Sequence, residues 1–118
     1  MTALLALFVA EGLLLAVLSV PLILGKIGPN SWYGFRVRRT LDDPALWYPV
    51  NAFAAKTLLA VGLGTSLAAV VLYNVPGISL VVYASAMAVV VLAGLAVSII
   101  ASFIYLNKVS KSARPPDA

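Results

Sequence analysis

The sequence contains no cysteine and no histidine. Without cysteine there is no disulfide, and no thiolate to act as nucleophile or metal ligand. Without histidine the commonest general base and the commonest transition-metal ligand are both missing. Charge is scarce as well: 10% of the 118 residues are Asp, Glu, Lys or Arg, against about 25% in an average soluble domain. No phosphate-binding glycine loop and no metal-ligand motif is present. These absences argue against an enzyme, and no cofactor or metal is expected.

What the chain has instead is apolar surface, 63% of its residues being hydrophobic. A small domain buries only about two-thirds of the surface its chain exposes, so lipid must cover the remainder. The first apolar run spans residues 2 to 25 with Glu11 as its one charge. A bilayer core of about 30 Å takes roughly 20 helical residues to cross. The run has no basic leader and no small-residue cleavage site, so it reads as a retained helix rather than a signal peptide. Residues 52 to 107 then carry one charge, Lys56, over a length too great for one helix. Tyr73-Asn74-Val75-Pro76-Gly77 supplies the break. The expected fold is therefore an all-α membrane protein with three transmembrane helices, at about 2–25, 52–73 and 78–106. Residues 1–107 form one three-helix domain and 108–118 a disordered polar tail. Three spans do not divide into inverted halves, which argues against a repeat-built transporter.

Residues 26 to 51 differ sharply. They hold four of the eight basic residues, two acids, three prolines, two glycines and both tryptophans. With three spans this loop and the tail share one side. All eight basic residues, Lys26, Arg36, Arg38, Arg39, Lys56, Lys108, Lys111 and Arg114, then fall on that side. The positive-inside rule puts loop and tail in the cytoplasm and the N-terminus outside.

Within the membrane, Ala60, Gly64 and Ala68 on the second helix and Gly94, Ser98 and Ser102 on the third form small-residue stripes at spacing four. They suit packing within the bundle, and also a homo-oligomer interface. Glu11 sits near the midplane, where an ionised acid is costly. Three readings are open: a proton- or substrate-binding carboxylate, a neutral acid hydrogen-bonded to Thr65, Ser66 or a neighbouring serine, or a shallow position near the outer headgroups.

The loop is rich in turn and capping residues. Either Thr40 with Asp43, or Asp43 followed by Pro44, starts a short interfacial helix at about residue 41 to 44. It is expected to carry Trp47 and Tyr48, to stop before Pro49, and to leave Asn51 as the cap of the second span. The bland account of Trp32, Tyr33, Trp47 and Tyr48 is an interfacial aromatic belt. The bland account of Arg36, Arg38 and Arg39 is topology and contact with anionic headgroups.

The stretch NSWYGFRVRRTLDDPALWYPVNAFAAK, from Asn30 to Lys56, resembles the signature of the SdpI-type immunity protein family. The matching positions are Asn30, Gly34, Arg36, Thr40, Leu41, Asp43, Trp47, Asn51 and Lys56, and the family often carries histidine where this chain has Asn51. The resemblance implies a bacterial inner-membrane protein. The best-known member protects its cell from a secreted membrane-active peptide toxin and draws a transcriptional repressor to the membrane.

The leading expectation is thus a non-enzymatic membrane protein of immunity or signalling type, with no direct contact to nucleic acid. Its loop, through Asn30, Gly34, Arg36, Arg38, Arg39, Thr40, Asp43, Trp47, Asn51 and Lys56, would bind a cytoplasmic regulator, and its bundle would sense or exclude a peptide toxin. Arg36 would pair with Asp43 or with a lipid phosphate, and Trp47 would anchor the loop at the interface. Two other readings stand beside it: a proton-coupled exporter of small cations using Glu11, and an accessory subunit or lipid-binding protein that stabilises a larger membrane complex.

Overall fold

In lipid a backbone has no hydrogen-bond partner but itself, so the apolar runs close into helices. The computed structural model of the chain describes residues 1–112. It contains α1 (Thr2–Ile23), α2 (Arg38–Leu41), α3 (Pro44–Tyr73) and α4 (Leu80–Ser112). Among the described residues, α1, α3 and α4 are long and apolar enough to cross a membrane. Three such helices make the chain a multi-pass membrane protein.

Each end is set by local chemistry. Gly25, at φ +69°, closes α1 in a Schellman motif: its N–H reaches Leu22 O at 3.2 Å and that of Lys26 reaches Pro21 O at 2.9 Å. The third span starts at Leu80 rather than residue 78, because Ser79 caps it, accepting from the N–H of Val82 at 3.1 Å. Its far end passes residue 106 and takes Lys108 to Ser112 into the helix. A helix leaving the bilayer with solvated lysines has no reason to stop at the interface. Residues 113–118, the rest of the expected disordered tail, lie outside the described residues.

The largest departure from expectation is at Pro49. The loop does hold a short helix, α2, but the segment with Trp47 and Tyr48 is the first part of α3, which runs through Pro49 without ending. Asp43 is the cap, accepting from the N–H of Ala45 at 2.9 Å, with Pro44 as the first helical residue. An interior proline costs about 3 kcal/mol. Here Ala45, whose carbonyl loses its partner to Pro49, is exposed to solvent. Buried Leu46, Trp47, Val50, Asn51, Ala54 and Ala55 lie on one face of the continuous helix, and that burial outweighs the proline.

α3 is the central helix and packs against both α1 and α4. At 30 and 33 residues, α3 and α4 run to about 45 and 50 Å. Both therefore project beyond a hydrocarbon core of about 30 Å on the loop side. There Leu46, Val50 and Leu106 form a core with Phe35, Val37, Tyr105 and Val109 around it. At the opposite end Ala69, Tyr83 and Met87 pack with Leu4, Phe8 and Val9.

Of the two expected stripes, one faces inward. Ser98 and Ser102 are buried, and Gly94 lies against Val61 of α3, where an added Cβ would come within 3.0 Å of it. Ala60 and Gly64 face outward instead, and a Cβ on Gly64 would meet nothing within 4 Å. The close approach on α3 is one face over. A Cβ on Gly12 would strike the Gly62 carbonyl oxygen and Ser66, and one on Gly62 would strike the Gly12 carbonyl oxygen. Two glycines thus let α1 and α3 cross backbone to backbone.

Candidate functional site

The loop folds into a cap over the end of the bundle where α3 begins, held mostly by backbone groups meeting buried side chains. Asn30 Oδ1 accepts from the N–H groups of Trp32 at 3.0 Å and Tyr33 at 2.6 Å, and its amide donates to Gly28 O at 3.0 Å. That turn aims Gly34 at α3. Gly34 has φ +111°, and a Cβ there would lie 2.6 Å from Asn51 Oδ1, so both conformation and space demand glycine.

Asn51 is the hub. It is 1% exposed. Its Oδ1 accepts the N–H of Phe35 at 2.5 Å, and its Nδ2 donates to Phe35 O at 3.3 Å and Trp47 O at 3.0 Å. It caps no helix: it sits inside α3 and holds the loop by one residue's backbone. Thr40, fully buried, does the same from α2, accepting from Val37 N at 3.1 Å and reaching Phe35 O at 3.0 Å.

Trp47 is not an interfacial anchor. It is 0% exposed and its Nε1 donates to Ile27 O at 2.8 Å, because α3 continues upward and turns this face into the loop's core. The aromatic residues placed for an interface are Trp32, 80% exposed, and Tyr48. The Tyr33 hydroxyl donates to Leu18 O. Burial pushes its pKa above the ordinary 10.0, so it remains a donor at neutral pH.

The basic residues lie outside this network. Arg36 is exposed and donates to Ser31 O, not to Asp43, whose carboxylate is occupied at the α3 cap. Arg38 sits 3.7 Å from Asp42 with both side chains largely in solvent, an arrangement worth well under 1 kcal/mol. Arg39 donates to Asn107 Oδ1 at 2.7 Å, tying α2 to the end of α4. Lys56 is exposed on α3, away from the cap's hydrogen bonds.

Beneath the cap are two adjoining cavities of about 230 and 200 Å³ that share Leu22, Gly34 and Leu58. The larger lies between α1, α3 and α4, with Asn51 and Phe35 at its cap end and Ser98 and Ser102 on its wall. Its hydroxyls are satisfied: Thr57 Oγ1 lies 2.6 Å from both Ala54 O and Ser98 Oγ, and Ser102 Oγ donates to Ser98 O at 2.7 Å.

Glu11 stands apart, half-buried on α1. Among the described residues no hydrogen bond joins it to Thr65 or Ser66; the Ser66 hydroxyl donates to Val9 O at 3.0 Å instead. An ionisable side chain in an apolar span costs insertion energy. Glu11→Leu should therefore favour insertion of α1 by about 2 kcal/mol, measured as the inserted fraction in a translocon assay. An unchanged fraction would put Glu11 in the headgroups.

Sequence reasoning missed Phe35, whose backbone all the buried polar side chains of the cap seek, and the Ile27 carbonyl. Neither carries a side-chain signal. It also missed the crossing at Gly12 and Gly62, although Gly12 and Ala16 stand at spacing four and were visible as a small-residue pair.

No match was found among curated proteins, and none among solved structures. A comparison with protein families matches residues 26–106 to the SdpI/YfhL protein family, which takes in the loop, α2, α3 and α4 as far as Leu106. The chain belongs to the SdpI/YfhL family.

Proposed function

We propose that the chain is an immunity- or signalling-type protein of a bacterial inner membrane, with the cap as the docking face for a cytoplasmic partner and a membrane-active peptide as the agent it counters. One observation carries this reading. The cap's polar side chains are spent holding Phe35, Ile27 and the Asn30 turn, while Arg38 and Trp32 are left exposed with no part in the core. A topology signal requires only positive charge near the membrane. A surface built on a fixed conformation, with an arginine and a tryptophan outward, has the composition of a protein-binding patch. The basic residues of the loop and of the α4 end support a cytoplasmic position for the cap.

The test is photo-crosslinking in native membranes from a probe at Trp32, with Arg38→Ala as control. Capture of a soluble protein or a peptide, reduced about ten-fold or more in the control as for a binding hot spot, is the expected result. Capture of lipid alone, equal in both, would overturn the reading.

A further inference from the structure

The geometry points to a binding site for an anionic phospholipid, its acyl chain in the cavities beneath the cap and its phosphate on Arg36. The inference goes beyond the docking role of the cap and does not depend on it.

The smaller cavity is walled by Leu15, Leu18, Ser19 and Leu22 of α1 and by Leu58 of α3, with the Ser19 hydroxyl spent on Leu15 O at 2.6 Å and with Tyr33 and Gly34 beside its cap end. Leu15, Leu18 and Leu22 lie three and four residues apart, so they line one flank of α1 for about two turns along the membrane normal. An open apolar slot of that direction in a bilayer suits a hydrocarbon chain, and Leu18 is 44% exposed at its edge. A chain standing in the slot brings its headgroup to the cap.

The charge there is of one sign. Lys26 follows α1 one turn beyond Leu22, its N–H bonded to Pro21 O at 2.9 Å. Arg36 is two residues past Gly34, which lines both cavities. The two acids of the loop are engaged elsewhere: Asp42 lies by Arg38 and Asp43 caps α3. The Arg36 guanidinium spends one N–H group on Ser31 O. That bond positions it, and the remaining donors of the fork are available to phosphate oxygens. The apolar slot and the fixed cation thus match the two ends of one anionic lipid.

The experiment is native mass spectrometry of the full chain released from nanodiscs holding equal phosphatidylglycerol and phosphatidylcholine of the same acyl chains. Three variants are compared: Arg36→Gln, Leu58→Trp to fill both cavities, and Leu18→Trp to fill the slot from its lipid edge. Circular dichroism and monodisperse elution certify each fold. The expected result is preferential retention of phosphatidylglycerol, a preference that falls about five-fold in Arg36→Gln. Total retained lipid should fall in whichever tryptophan variant folds. Equal retention of the two lipids, or a preference unchanged in Arg36→Gln, would overturn the site. So would retention unchanged in the tryptophan variants, which would mean headgroup attraction to an open surface. Loss of the bound species to excess inorganic phosphate would overturn it too, because the ligand would then be a free anion.

Discussion

Trp47→Ala should lose about 3–5 kcal/mol of stability and release the loop. The side chain is fully buried, so truncation leaves a cavity the size of an indole, and large-to-small changes of this kind cost that amount. The indole N–H is also the donor that fixes Ile27, at 2.8 Å, so the segment between α1 and the Asn30 turn loses its tie to α3. Trp47→Phe separates the two contributions. It retains most of the apolar volume and drops the hydrogen bond, for a cost of about 1 kcal/mol. Two measurements check this. Equilibrium unfolding in mixed micelles gives the energies. Limited trypsin digestion reads the loop directly, since Arg36, Arg38 and Arg39 offer cleavage sites that the folded cap protects. A Trp47→Ala protein cut no faster than wild type at these arginines would show that the indole does not hold the cap.

The contrast between Trp47 and Trp32 also measures what could be read from the sequence. Spans, loop and break were legible, because a bilayer enforces length and apolarity on any helix that crosses it. Capping chemistry at Asp43-Pro44 was legible for the same kind of reason: a helix start needs a side-chain acceptor, and only a few residue types provide one. The role of Trp47 was not. A tryptophan near a membrane boundary satisfies both an interfacial and a buried account, and the choice turned on whether α3 continues through Pro49. That choice is tertiary: it depends on Leu106 and Tyr105 of α4 lying opposite Val50 and Phe53, more than fifty positions along the chain. The outward turn of Ala60 and Gly64 has the same cause. Gly62 and Ser66 also stand four apart on α3, and composition does not say which row of small residues meets a neighbour. The cap's hydrogen bonds were the least legible feature, since Asn51 and Thr40 address the backbone of Phe35, and any residue type would present the same N–H and carbonyl there.

Asn51→Leu should cost about 3–5 kcal/mol, although the two side chains are close in size. The amide makes three hydrogen bonds in a buried site. Their loss is not equal. Trp47 O retains its helical partner, and Phe35 O retains the Thr40 hydroxyl at 3.0 Å, but the N–H of Phe35 is left without an acceptor. One orphaned buried donor costs about 1–3 kcal/mol, and each lost bond to a still-paired carbonyl about 1. Asn51→Asp tests the direction of these bonds. It retains the acceptor for Phe35 N–H and puts a second acceptor against two carbonyls, so it should be no better than leucine. Asn51→His should fall between wild type and leucine, because a neutral imidazole offers one acceptor and one donor: enough for the N–H of Phe35 and one carbonyl. The order Asn, then His, then Leu and Asp is the expected outcome of unfolding in micelles. The consequence for function runs through position 35. Its ring packs edge-on against Phe103 at 5.0 Å and roofs the larger cavity, and its backbone leads straight to Arg36. If Asn51→Leu were as stable as wild type and also retained phosphatidylglycerol equally, the polar hub would have no part in holding the cap or in retaining the lipid.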